Sequence, residues 1–175
     1  MTEITVRRAV VGDAAAIAGV HVRAWQVGYR GIVPDAVMAA QSVSERTGQW
    51  EGWLTGGLGG GESKTLVAQL GAPIVGFATV VAPSPDGDLG PHTCELAALY
   101  IDPGSWRQGV GRTLMDAAME LGQAGGSAEM SLWVLTQNAA ARAFYEALGF
   151  APDGATHAHA RSGEPTLRMR APLRA

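Results

Sequence analysis

Residues 105–115 read SWRQGVGRTLM: two glycines among two arginines and a glutamine, just ahead of a strong helical pattern. Glycine inside a helix costs about 1 kcal/mol relative to alanine, so its presence where a helix begins needs a reason. A helix N-terminus leaves backbone N–H groups without partners and carries the positive end of the dipole. A phosphate answers both, provided no side chain blocks its approach. Gly109 and Gly111 remove those side chains, and Arg107 and Arg112 bring charge. The preceding LAALYI reads as a strand that gives the turn a rigid edge. In physical terms this is a diphosphate cradle; the plainer alternative is a strand-to-helix turn that binds nothing. A dinucleotide motif does not fit, because Leu114 stands where its third glycine belongs, and no G-K-[ST] is present for a Walker-type loop.

Other reactive side chains are less eloquent. Cys94 has no recognisable His or Asn partner nearby in sequence and reads as a buried, inert thiol rather than a nucleophile. His157 and His159 lie two apart, which places them on one face of a strand; a polar strand face explains them better than a metal site. His21, Trp25 and Tyr29 are spaced by four and fall along one side of a helix, if the helix continues past Gly28.

The elements that position these residues follow from periodicity. ITVRRAV alternates and reads as a first strand. Asp13 can cap a helix that carries Ile17, Val20, His21, Ala24 and Trp25, and GYRGIVPD breaks it. A second helical region runs from about Pro34 to Leu54, with Ser44 as candidate cap for the part bearing Trp50 and Trp53. TGGLGGGES reads as a loop, and KTLVAQ and PIVGFATVVA as two strands about a turn at Gly71. CELAALYI is a strand ended by Asp102-Pro103-Gly104, and a helix runs from Gly109 to Leu121. MSLWVL is a strand, and NAAARAFYEALGF a helix punctuated by Asn138 and Gly149. HAHARSGEPTLRMR closes the chain as a hairpin around Ser162-Gly163. The order is strand, two helices, three strands, helix, strand, helix, hairpin: one mixed α/β layer fold, a single domain over residues 1–175.

Composition narrows the function classes. The 175 residues are 47 % hydrophobic, enough for a real core, and the net charge of −3 argues against a general nucleic-acid binder. One cysteine excludes a disulfide framework and a multi-cysteine metal site. No run reaches the roughly 18 apolar residues of a membrane span, and the N-terminus lacks a signal-peptide layout, so a soluble, cytoplasmic protein is expected.

Two motifs together resemble those of the GCN5-related N-acetyltransferases (GNAT family): ELAALYIDPGSWRQGVGRTLM looks like its acyl-CoA-binding motif, and NAAARAFYEALGF like its next motif. The resemblance extends in element order over nearly the whole chain. It implies a mixed, mostly antiparallel sheet of six to seven strands flanked by about four helices. The fourth and fifth strands splay, and acyl-CoA wedges between them. It implies that backbone around Leu99, Tyr100 and Ile101 pairs with the pantetheine arm. The N–H groups from Gln108 through Gly109, Val110 and Gly111 to Arg112 hold the pyrophosphate, with Arg107 alongside. Asn138 matches a residue that contacts the cofactor, and Tyr145 the residue that protonates the departing thiolate. Members usually place Gln or Arg three residues before the first glycine; here that position is Trp106.

The implied reaction moves an acetyl group from acetyl-CoA to a primary amine by direct transfer. An amine with a pKa near 10 costs roughly 4 kcal/mol to deprotonate at pH 7. A carboxylate or a water chain can take that proton. Glu95, eleven residues before Trp106, matches a glutamate base of some family members; the alternative is a solvent-facing strand residue. Asp102 belongs to a turn, and Glu146 points away from Tyr145's side, so both are weaker candidates. Tyr145, beside Phe144, Leu148 and Phe150, is either the general acid or a core aromatic. The family's first two helices shape the acceptor pocket, which makes His21, Trp25 and Tyr29 acceptor-binding candidates, by cation–π contact if the acceptor is cationic. The alternative is that Trp25 packs in the core with His21 as its satisfied partner. The expected partner is a small-molecule or protein amine, with no nucleic acid, membrane or metal, and with a homodimer left open. A non-catalytic acyl-CoA-binding module and an O-acyltransferase remain competing readings.

Overall fold

The alternating ITVRR forms β1 (Ile4–Arg8), and a single 3-10 turn (Val11–Asp13) leads from it into α1 (Ala14–Gly28). The computed structural model describes residues 3–58 and 62–173; residues 59–61, in the glycine-rich stretch expected to be a loop, lie outside the described residues. The remaining elements are α2 (Asp35–Ala39), α3 (Val43–Gly56), β2 (Glu62–Leu70), β3 (Ile74–Ala82), β4 (Thr93–Ile101), α4 (Val110–Ala124), β5 (Glu129–Leu135), α5 (Ala139–Ala147), β6 (Ala151–Ala158) and β7 (Pro165–Pro172).

The strands form one seven-stranded sheet in the order β1-β2-β3-β4-β5-β7-β6. Every neighbouring pair is antiparallel except β4 with β5. That parallel pair has three rungs, Thr93–Glu129, Cys94–Met130 and Glu95–Ser131. Past Glu95 the two strands part. This is the expected splay of the fourth and fifth strands.

Two apolar layers sandwich the sheet. On one face Leu114, Met115 and Ala118 of α4 and Phe144 of α5 pack on Leu96, Ala78, Leu132 and Met169. On the other, Ile17, Ala18 and Val20 of α1 and Trp50 of α3 pack on Val67 and Phe77. The contact of α4 with β4 is close: a Cβ at Gly122 would stand 2.7 Å from Cys94 Sγ. Cys94 is therefore buried against a helix backbone, and burial pushes its thiol up, as suits an inert thiol.

The helical region expected to run unbroken from Pro34 divides, giving five α-helices among the described residues rather than about four. Ser42, not Ser44, is the cap: its backbone is extended and its Oγ accepts from Glu45 N at 3.3 Å. Ser42 and Glu45 have the spacing of a capping box, which the sequence shows once the break before α3 is known. Asp13 also departs from expectation. Its carboxylate accepts from Val10 N at 2.8 Å and from the Arg7 guanidinium at 2.7 and 2.9 Å, so it braces the turn before α1 rather than capping α1 itself.

A bulge in β4 decides which of its side chains share a face. Val80 pairs with Leu96 and Thr79 with Ala98, so Ala97 is the extra residue. Without it, Glu95 and Tyr100 would point to opposite faces. With it they share the face of their partners Val81 and Phe77, the side on which α1 packs.

Candidate active site

The splay leaves an open strand edge inside the sheet. Asp102 N donates to Val75 O at 2.8 Å, so the alternation of an antiparallel ladder turns the N–H and C=O of Ile101 and Leu99 away from β3, toward the gap. Tyr100, between them, bonds to β3 and sends its side chain to the α1 face. The Ile101 carbonyl is already engaged: Trp106 Nε1 donates to it at 2.9 Å. Trp106 thus lies along the open edge, 44 % exposed, with its ring 4.0 Å from where a Cβ of Gly28 would stand.

The edge leads to the N-terminus of α4. Arg107 (φ 60°) and Gly109 (φ 87°) both have left-handed backbone, which curls the chain before the first helical turn. No acceptor is found among the described residues for the backbone N–H groups of Gln108, Gly109, Val110, Gly111 and Arg112; the first inward bond is Thr113 N to Gly109 O at 3.0 Å. Successive N–H groups without acceptors and a missing side chain at Gly111 are what a diphosphate requires. The side chains contribute less. Arg112 is exposed and paired with Asp116 at 3.0 Å, and Gln108 Nε2 donates to Gly104 O at 3.1 Å. Across the gap, Asn138 Oδ1 caps α5 by accepting from Ala141 N at 3.2 Å, which leaves its NH2 group for a ligand. The buried Nε of neighbouring Arg142 has no partner among the described residues.

Glu95 stands on the last rung before the strands part. Burial first, then the Asp86 carboxylate, push its carboxyl from the ordinary 4.5 up to about 7, against the opposing pull of Arg168 and Ser84. Tyr145 reaches the gap from α5, half-buried beside Phe144 and Phe150 at ring distances of 5.4 and 5.9 Å. Burial, then the Tyr100 phenol, push its hydroxyl well up, so it holds its proton at neutral pH. Tyr29 is raised as well, by burial and by both Tyr100 and Tyr145. The Tyr29 and Tyr100 hydroxyls thus lie 3.2 Å apart, and Tyr145 is near enough to Tyr29 to act on it electrostatically.

The His21, Trp25 and Tyr29 row forms as the spacing implied: α1 runs to Gly28 and Tyr29 follows at its end. Adjacent rings are 6.3 and 4.9 Å apart. Trp25 is 3 % exposed and its Nε1 donates to Tyr100 Oη at 3.1 Å; Tyr29 Oη lies 3.2 Å from the same oxygen. His21 accepts from Trp50 Nε1 at 3.3 Å, and burial, then the Arg46 and Arg161 cations, hold its pKa down at about 3. His21 is thus a neutral, buried group with its Nδ1 bonded, and the nearby Arg46 and Arg161 charges would oppose a cationic acceptor beside it. Trp25→Ala is expected to lower stability by about 3–5 kcal/mol. Denaturant unfolding measures this; an unchanged midpoint would remove Trp25 from the core.

Three contributors are not legible in the sequence. Tyr100 is expected there only for its backbone, yet its hydroxyl joins Trp25 and Tyr29. Arg168, 4 % exposed, gathers Asp86, Asp88 and Asp153 and lies 5.5 Å over the Trp133 ring, under the Glu95 end of the gap. Arg46, also 4 % exposed, sits one turn before Trp50 on the buried side of α3. An arginine four residues ahead of a core tryptophan is the one signal that could have found it. His157 and His159 both turn to the α1 side: the tilted His157 ring lies 3.9 Å from Trp133, and His159, just past the strand end, 5.4 Å from Trp25. Among the described residues no helix is long and apolar enough to cross a membrane.

Comparison with known proteins agrees with this geometry. A family profile described as the acetyltransferase (GNAT) family matches residues 29–150. Rv2775 of Mycobacterium tuberculosis, a probable N-acetyltransferase, is 30 % identical over 156 residues, covering 89 % of this chain and 84 % of the relative. Mycothiol acetyltransferase of Beutenbergia cavernae is 41 % identical over 73 residues; that match covers 42 % of this chain and 24 % of the longer relative. Among solved structures, the PaiA N-acetyltransferase of Thermoplasma acidophilum in complex with coenzyme A superposes with a TM-score of 0.75 at 19 % identity, covering 97 % of this chain and 99 % of that one. The splayed sheet, the donor-lined helix start and the profile match lead to one conclusion: the chain belongs to the GNAT family of acetyltransferases.

Proposed function

We propose that the protein transfers the acetyl group of acetyl-CoA directly to a primary amine, with Glu95 as base, directly or through water, and Tyr145 as acid. The observation that carries this reading is the gap itself. A carboxylate stands on its last rung, the Tyr145 phenol comes toward it from α5, and unpartnered N–H groups lie at its outer end. Acetyl-CoA supplies an activated thioester carbonyl. The residues that suit it are the open edge of Leu99 and Ile101, with Tyr100 between them bonded to β3, the N–H groups of Gln108 to Arg112, and the Asn138 amide. Glu95 lies on the opposite face from α4, so an amine entering beside α1 meets the carboxylate without crossing the donor.

A base with its pKa near the working pH combines a sizeable deprotonated fraction with useful basicity. Glu95 acts as carboxylate, so kcat/KM for the acceptor is expected to rise with pH through about 7. The same upward shift favours the protonated form in the folded chain. This group's contribution to stability is therefore full below 4.5 and is lost as pH rises through about 7. The test is a panel of primary amines with acetyl-CoA, products read by mass spectrometry, followed by pH profiles of wild type and Glu95→Gln. The wild-type limb near 7 should vanish in the variant. An identical limb in both would assign the proton to another group, and acetyl-CoA binding with no product from any amine would leave a binding module instead.

A further inference from the structure

Two arginines are buried among the described residues, each 4 % exposed, and the chain treats them differently. Arg168 meets Asp86, Asp88 and Asp153 at 3.1, 2.7 and 2.7 Å. Arg46 meets no carboxylate among the described residues. Its guanidinium donates to the neutral amide oxygens of Gln49, at 3.2 Å, and of Gln41. A second guanidinium, that of exposed Arg161 in the turn between β6 and β7, donates to the same Gln49 oxygen at 3.5 Å. Two cations share one neutral acceptor, and burial with the Arg161 charge lowers the Arg46 pKa. A buried charge without a counter-ion is costly, and a bound anion relieves both the burial and the repulsion.

Location says which anion. Arg46 is one turn from Trp50, whose indole bonds His21, and the His21 ring lies 4.6 Å from Tyr100 at the gap. The turn that carries Arg161 also brings His159 onto Trp25. The pair therefore flanks the α1 side of the gap. The cradle at the start of α4 is on the other face, so the phosphates of the donor do not reach it. A guanidinium fork suits a planar carboxylate. We propose that Arg46 and Arg161 bind a carboxylate on the acceptor, so that the acceptor is an amino-acid-like molecule with amine and carboxylate on one small frame. This rests on the acetyltransferase reading above.

The experiment uses matched L-amino acids and their carboxamides as acceptors with acetyl-CoA. Rates are followed by thiol release and products by mass spectrometry. The acids should exceed their amides in kcat/KM by about 10- to 100-fold, as for a charge-assisted hydrogen bond. Arg46→Gln and Arg161→Gln should bring that ratio toward one, with the KM of acetyl-CoA unchanged; Arg161 is exposed, so its variant guards against a folding artefact. Arg46→Lys, which keeps the charge but not the fork, should restore part of it. Equal or faster turnover of amides, or a ratio unmoved in both glutamine variants, overturns the proposal. If acids and amides are all inert while acetyl-CoA still raises the melting temperature, the carboxylate site fails and donor binding stands. If acetyl-CoA leaves melting unchanged as well, the acetyltransferase reading falls and takes the carboxylate site with it.

Discussion

Tyr145→Phe is expected to lower kcat by about 10²- to 10⁴-fold, the usual contribution of a positioned proton donor, while acetyl-CoA binding changes little. The substitution removes one oxygen. The ring keeps its contacts with Phe144 and Phe150, so packing offers no competing cause for a loss of rate. Burial keeps the proton on the Tyr145 hydroxyl, and Tyr100 and Tyr29 stand near enough to raise or share in that effect. Steady-state kinetics with a thermal-shift titration of acetyl-CoA separates the two quantities. A variant with full kcat would leave Tyr145 a core aromatic, and Tyr100 or water would then be the donor.

Gly111→Trp is expected to abolish acetyl-CoA binding. A Cβ at Gly111 would meet Phe144 and Ile101 at 3.6 and 3.7 Å, ordinary contact distances, so the backbone itself tolerates a side chain. An indole there covers the free N–H groups of the helix start. Ligand at about 100 times its Kd stabilises a folded protein by roughly 2.7 kcal/mol, and that whole increment should vanish from the melting curve. Gly109 is the poorer choice for this test, since its φ of 87° strains any replacement regardless of ligand. An undiminished acetyl-CoA shift in Gly111→Trp would move the donor site elsewhere.

The parts of the site built from contiguous residues are legible in the sequence. Gly109 to Arg112 announce a helix start whose backbone N–H groups find no acceptor among the described residues, and the Asn138 to Phe150 stretch announces a capped helix with an aromatic face. Strand alternation supplies the members of the sheet, and the motif pair supplies its splay. What stays hidden depends on residues far apart in the chain. The bulge at Ala97 exists because Val80 pairs with Leu96 and Thr79 with Ala98, and nothing in CELAALYI alone sets that register. It decides that Glu95 and Tyr100 share a face. Arg46 looks like an ordinary helix charge in the sequence, because its want of a carboxylate is visible only once every neighbour is placed. The gathering of Asp86, Asp88 and Asp153 on Arg168 joins a loop to two strands that no local pattern connects.

The three-rung joint between β4 and β5 has a consequence for what can enter the molecule. An unpaired strand edge ordinarily invites any extended polypeptide to add itself on. Here the edge is walled: α4 and α5 stand on one side and the aromatic row on the other, and the Trp106 indole is laid along the rim. A polypeptide strand brings side chains on both of its faces and collides with both walls. A thinner arm with amide groups along it needs no room on either side and can still meet the free Leu99 edge. Walls on both sides of an unpaired edge thus favour a slender visitor over a polypeptide strand before any side chain reads its chemistry.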